Sequence, residues 1–461
     1  MPTRLPKTTL ILHNIPDRCL LGIDLQFFES TSSFHGIKVI PDGVHILHWS
    51  LAISSGPEAE TIRQTRIRSI RDDVGEEDDI FKNTSTAVTE SDMLMSNMNM
   101  RSAIFFEAIE GRIVHIAWSD QAEEFVFTDL RMEEIDPLQL YAHLLPYPEF
   151  EPSFSLLCRD LTFSYLISFL PESYSANNES ISSITASSAD SLLLARAMDQ
   201  ISETTPSDQD HDGFRFLLFD LKKQRTWREG AVGREVTAAA IDKSWFLTDL
   251  ISRQRHAAII SILAEFELCF ILTILLANYS AAEQWKRILE LMCNCYSAID
   301  SYPTIFSSFF ELVRCQLDCV PEVYFYELLD SRFVKKHLRT FFKRIHDPLL
   351  SSITTTNSDN TLFLNEGIVR DLSDLLESIQ NVLIRRFDID LQKNNTVASS
   401  TLRSKSSVLA QLSGSSGLNS QTMHHYGSDD EQEGKNMILQ GYDSDDADEE
   451  RGEYAPVIVD L

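Results

Sequence analysis

Between residues 259 and 277 almost every side chain is apolar, IISILAEFELCFILTILLA, and such a run predicts a helix buried on all sides rather than one resting on a surface. Glu265 and Glu267 interrupt it, which separates it from a bilayer-spanning helix, since that needs about 20 mostly uncharged residues. Asn278-Tyr279-Ser280 reads as a stop followed by an N-cap. Beyond it the pattern turns amphipathic: Trp285, Ile288, Leu289 and Met292 fall at helical spacing, with Glu283, Lys286, Arg287 and Glu290 outward. A helix covered all round needs other helices to cover it, so a multi-helix domain is predicted. Its further helices read at 302–319, stopped before Pro321, and at 322–330, 334–345 and 368–387.

The first third of the chain follows a different rhythm, with short β-prone runs between turn signals. Strands are predicted at 9–12, 25–28, 34–40 and 44–49, the last two joined by Pro41-Asp42-Gly43 as a β-hairpin. Gly22, Gly36 and Gly43 read as backbone requirements. The pattern lapses over 54–100, an acidic, Met-rich insertion, then returns as strands at 103–107, 112–118 and 124–127. A short helix is expected at 136–145. The chain is thus expected to be α+β and multidomain. A mostly-β sandwich or barrel spans 1–172, a Ser/Asn/Asp-rich linker 173–212, and an all-α domain 213–392. A disordered Ser-rich and acidic tail follows at 393–461, ending in a strand-forming peptide.

Composition narrows the function classes. A formal charge of −29 argues against direct nucleic-acid binding, because phosphate rewards positive surfaces. The seven cysteines are scattered and sit mostly in apolar helical text. With no signal-peptide pattern, that suggests a reducing compartment and a soluble intracellular protein without a membrane span. His45 and His48, three apart on a predicted strand, point to opposite faces and do not make a metal pair. Glu265 and Glu267, two apart on a helix, do not share a face and make no acid–base dyad, and at least one is expected in a buried hydrogen-bond network or an interdomain contact. No phosphate-binding loop, nucleophile elbow or metalloprotease motif occurs, so neither catalysis nor a cofactor is expected.

Three segments suit binding. After an acidic stretch of net charge −10 over 427–461, the peptide holding Tyr454, Pro456, Val457, Ile458, Val459 and Leu461 suits strand addition to a partner's open sheet edge. Pro456 falls at the strand's start, where a missing N–H is tolerated. Ser428 and Ser444, each followed by acidic residues, suit an acidophilic kinase, and a phosphate adds about −1.5 to −2 charge. The segment 332–346 is a basic amphipathic helix, either an ordinary solvated face or a surface for an acidic partner or for the chain's own tail.

Residues 20–49, LLGIDLQFFESTSSFHGIKVIPDGVHILHW, resemble the N-terminal signature of the A1 cistron-splicing factor family, through Gly22, Asp24, Gly36, Lys38, Pro41, Gly43 and His45. EFELCF from Glu265, EQWKRIL containing Trp285 and Lys286, and QLDCVPE from Gln316 match in the same order further on. The insertion at 54–100 and the long segment before the tail depart from the family. The resemblance implies a β-rich N-terminal domain, a VHS-like helical domain and a non-enzymatic assembly factor of the U5 small nuclear ribonucleoprotein. The implied partner is the central spliceosomal scaffold protein, bound at its RNase H-like domain and, through a fungal-type C-terminal tail, at its MPN-type domain, which blocks premature docking of the U5 RNA helicase. A monomer, cytoplasmic and nuclear, with phosphorylation linked to release, is expected. A VHS-like trafficking adaptor recognising cargo or ubiquitin is the alternative.

Overall fold

Strand β1 (Thr8–His13) is the seam of the first sheet, buried along nearly its whole length and paired on both sides. Its neighbours are β4 (Gly36–Ile40), antiparallel, and β7 (Ile113–Ser119), parallel; β8 (Glu124–Phe127) and β9 (Leu145–Pro146) form the edges. The second sheet is antiparallel throughout, β10 (Ile181–Ser182), β6 (Ser102–Ala108), β5 (Gly43–Leu51), β2 (Cys19–Ile23) and β3 (Gln26–Glu29) in that order. Trp49 of one sheet meets Phe125 of the other edge-on at 5.1 Å, so the two share an apolar interior. This computed structural model describes residues 7–16, 19–30, 34–51, 100–128, 141, 144–148, 154–177, 179–191, 212–222, 224–253, 260–346 and 366–392.

The predicted hairpin at Pro41-Asp42-Gly43 is a corner instead. β4 and β5 do not pair with each other; β4 stays in the first sheet and β5 enters the second. Val39 (φ +63°) and Gly43 (φ +135°) take up the bend, and the turn residues that would close a hairpin here redirect the chain between sheets. The linker expected at 173–212 is also corrected over its first part. Helix α3 (Glu172–Asn177) and β10 lie within it, anchored by buried Tyr174 and Ile181, and the Tyr174 hydroxyl donates to Phe105 O at 2.8 Å.

Ahead of α3 come α1 (Phe154–Leu157) and α2 (Phe163–Phe169). The helical region continues with α4 (Arg234–Ile241), α5 (Ser244–Arg253), α6 (Ile260–Leu276), α7 (Tyr279–Cys293), α8 (Pro303–Cys319), α9 (Glu322–Glu327), α10 (Ser331–His346) and α11 (Glu366–Phe387). Helix α6 is the predicted central helix, buried at every position from Ile262 to Leu276. Asn278 caps α7 as expected, its side-chain oxygen accepting from the Ala281 N–H. Phe266 on α6 stacks on Trp285 of α7 at 5.1 Å and packs on Phe309 of α8 at 4.8 Å. Apolar residues of the sheets and the helices join in one core. Among the described residues no helix is long and apolar enough to cross a membrane. All of them lie in the unit Met1–Asn394. The insertion at 54–100 apart from Met100, most of the helix expected at 136–145, and the tail with Ser428, Ser444 and 454–461 lie outside the described residues.

Candidate functional site

Asp24 follows β2 in the left-handed backbone region (φ +52°) and is wholly buried. Its Oδ1 accepts the Ile46 N–H at 3.0 Å, and its Oδ2 accepts from His45 Nδ1 at 2.7 Å and the Tyr147 hydroxyl at 2.5 Å. The other ring nitrogen of His45, Nε2, meets the Pro41 carbonyl at 2.9 Å. Two acceptors on two ring nitrogens require a proton on each, so His45 is an imidazolium. Burial opposes that charge, but the Asp24 carboxylate prevails and the His45 pKa is raised. Burial also raises the pKa of the Tyr147 hydroxyl, which keeps it a donor.

His48, on the opposite face of β5, reaches the same residue by another atom, donating from Nε2 to the Asp24 carbonyl at 2.9 Å. Burial pushes its pKa down to about 3, and it stays neutral. Gly22 is the floor under this ring: a Cβ there would lie 1.8 Å from His48 Cε1. Gly36 (φ +141°) meets the same kind of limit, since a Cβ would stand 2.0 Å from the Leu10 carbonyl oxygen. Lys38 donates to the Tyr141 carbonyl at 3.0 Å. The first signature stretch is therefore a buried polar knot that fastens the β2–β3 turn, the sheet-to-sheet corner and Tyr147 together.

The second stretch works from α6. Both Glu265 oxygens accept the Leu217 N–H, at 3.0 and 3.1 Å, and Gln284 bridges the Glu265 carboxylate and the Leu217 carbonyl. Glu267, around the helix, accepts the Asp160 N–H at 3.1 and 2.9 Å. Each glutamate pins a different earlier segment to the central helix. Trp285 donates to Gln316 Oε1 at 2.8 Å, and Lys286 pairs with Glu283 at the helix surface. Buried Arg101 donates to the Leu275 carbonyl at 2.9 Å, so the residue just before β6 caps the end of α6. Tyr147 and Arg101 carry no motif, while Gln284 and Gln316 fall inside the quoted stretches EQWKRIL and QLDCVPE without any sign of their roles; only the buried charges of α6 signalled that such partners must exist.

Burial drives Glu265 up to about 7 and Glu267 to about 9. A raised carboxylate favours the fold below its unfolded value of 4.5, and that contribution is lost as pH climbs towards 9. Glu267→Gln is expected to flatten this slope, gaining stability over the parent at pH 8 relative to pH 5. Glu267→Ala, which removes the acceptor, is expected to cost about 1–3 kcal/mol at both. Urea midpoints at the two pH values read both outcomes.

Beside the knot runs a cleft of about 790 Å³, lined by Pro41, His45, Tyr147, Phe154, Cys158 and Arg159 among others. Burial disfavours the thiolate of its cysteine, Cys158. All seven cysteines are free, and burial raises the pKa of each. Among the described residues no group of three or more His, Cys, Asp or Glu is placed to hold a metal ion. What the buried signature residues Asp24, His45, Glu265 and Trp285 do chemically is brace.

Two family models match this chain, the AAR2 N-terminal domain over residues 6–171 and the AAR2 C-terminal repeat region over 218–392. Among curated proteins it is similar to the Protein AAR2 homolog of Homo sapiens, 22% identical over 358 residues, which cover 72% of this chain and 82% of that protein. The Mus musculus homolog matches at 22% over 360 residues with the same coverage, and that of Oryctolagus cuniculus at 28% over 134 residues, 29% of this chain and 37% of that protein.

Proposed function

This chain belongs to the AAR2 family, and from that membership we propose that it is a non-enzymatic assembly chaperone of the U5 small nuclear ribonucleoprotein in pre-mRNA splicing. The family role is assembly of the U5 particle. The folded unit, with a VHS-like helical domain, binds the RNase H-like domain of the spliceosomal scaffold, and the peptide 454–461 adds a strand to the MPN-type domain. Occupying both holds off the U5 RNA helicase until the chaperone leaves. Two linked contacts raise avidity through effective concentration without a new interface. Phosphorylation at Ser428 or Ser444 tunes release, and the protein works as a monomer in cytoplasm and nucleus.

The observation that supports this most is that both family regions match in order, and apolar residues of the two regions join in one core. The test is binding of the purified chain to each isolated scaffold domain, with and without residues 452–461. The expected result is unchanged affinity for the RNase H-like domain and at least about tenfold weaker binding to the MPN-type domain on truncation. Equal MPN binding after truncation removes the tail contact from the reading. No binding to either domain removes the scaffold as partner.

A further inference from the structure

Helix α10 carries six Lys or Arg residues and no Asp or Glu. Four of them, Arg332, Lys336, Arg339 and Lys343, follow the spacing i, i+4, i+7, i+11, which puts them on one line of the helix. Val334, Leu338 and Phe341 are fully buried on the opposite side, against α7, α11 and the rest of the core. Arg332, Lys336 and Lys343 are exposed, and Arg339 is half-buried. The line is about 16 Å long at 1.5 Å per residue. Like charges at these spacings work against the helix that carries them, so a surface with no function would mix in acids, as α7 does with Glu283, Lys286, Arg287 and Glu290.

From other segments, Lys222 and Lys243 join Lys336 in acting on Glu290 of α7, where Asp220 also acts, and Arg344 of α10 lies over the Tyr296 ring at 5.1 Å. A concentrated positive surface on a chain of net charge −29 is selective for a short anionic partner, because a long polyanion meets the repelling field of the whole molecule. Bases need exposed aromatic faces, and the aromatics of this helix, Phe333, Phe341 and Phe342, pack on the core instead.

We propose that the Arg332–Lys336–Arg339–Lys343 line of α10 is a docking surface for an acidic, extended segment of a partner protein. About five extended residues span it, with alternate Asp or Glu side chains reaching the cations. The site is distinct from the signature knot and does not rest on the scaffold reading.

The test uses the full chain and a fluorescein-labelled octapeptide of alternating Asp and Glu, followed by anisotropy. The triple variant Arg332→Glu, Lys336→Glu, Lys343→Glu changes only exposed positions; its fold is checked by circular dichroism and its melting midpoint. The control Arg225→Glu, Arg228→Glu, Arg234→Glu makes the same change in net charge at other exposed positions. The expected result is at least about tenfold weaker binding by the α10 variant, less than about threefold by the control, and a loss of parent affinity as salt rises from about 50 to about 200 mM. Equal losses in both variants, no binding by the parent, or preference for an oligouridine of matched charge would each overturn the proposal.

Discussion

Gly22→Ala is expected to be among the most damaging single-methyl changes in the molecule, costing at least about 3–5 kcal/mol and leaving much of the chain unfolded in mild denaturant. The added Cβ would lie 1.8 Å from His48 Cε1. The ring has little room to retreat, because its Nε2 is bonded to the Asp24 carbonyl and its edge meets Phe27 at a centroid distance of 4.5 Å. A second change separates this clash from a general intolerance of alanine. His48→Ala empties the space, so Gly22→Ala added to it should cost far less than in the parent, a coupling of at least about 1 kcal/mol in the double-mutant cycle. Guanidinium unfolding of the four proteins measures it. Gly22→Ala within about 1 kcal/mol of the parent would mean that His48 is not held as described.

Asp24→Ala ranks second, at about 3–5 kcal/mol, since it strands a buried imidazolium and leaves the Ile46 N–H and the Tyr147 hydroxyl without their acceptor. Asp24→Asn should cost clearly less. Asparagine tolerates the left-handed backbone at this position and keeps an oxygen for Ile46, while its amide nitrogen replaces the charge and the acceptor that serve His45 and Tyr147. The two also differ from the parent in pH dependence. Because the folded pKa of His45 is raised, its contribution is fully present below the unfolded value of 6.5 and is lost as pH rises through the folded value. Without Asp24 that part of the profile should vanish, and thermal midpoints followed from pH 5 to pH 9 would reveal it. A profile for Asp24→Asn that keeps the parent's slope would contradict the ion pair.

The helical half was the more legible in the sequence, for a physical reason. A helix buried all round writes its burial into every residue, and the run at 259–277, the Asn278 cap and the stop before Pro321 all lie within a few residues of what they control. The sheets were legible as strands but not as partners. Pro41-Asp42-Gly43 serves a hairpin or a corner equally well, and which one forms is decided by β1, β2 and β6, strands whose claim on β4 and β5 is non-local. β2 itself was missed because its five residues, CLLGI, end in the glycine and aspartate region that reads as a turn. Tyr174 and Ile181 were hidden in polar text, where two buried anchors do not shift the composition of a segment. The signature residues were found by resemblance, yet their roles needed geometry: Asp24 meets Tyr147 across 123 positions and Glu267 meets Asp160 across 107.

Asp24, His45, Glu265 and Trp285 face inward and are bonded to other parts of the same unit, so their substitution should weaken partner binding only through the fold.

Hydrogen–deuterium exchange of the full chain, free and mixed with the RNase H-like domain of the proposed scaffold partner, tests this most directly. The amides to follow are those of Asp24, Ile46, Asp160 and Leu217, which donate to Ile46 O, Asp24, Glu267 and Glu265 respectively. The account predicts that all four are already protected in the free protein and change little on binding, while new protection falls on exposed positions elsewhere. Four amides that exchange freely alone and slow only in the complex would place the signature at the interface and contradict it.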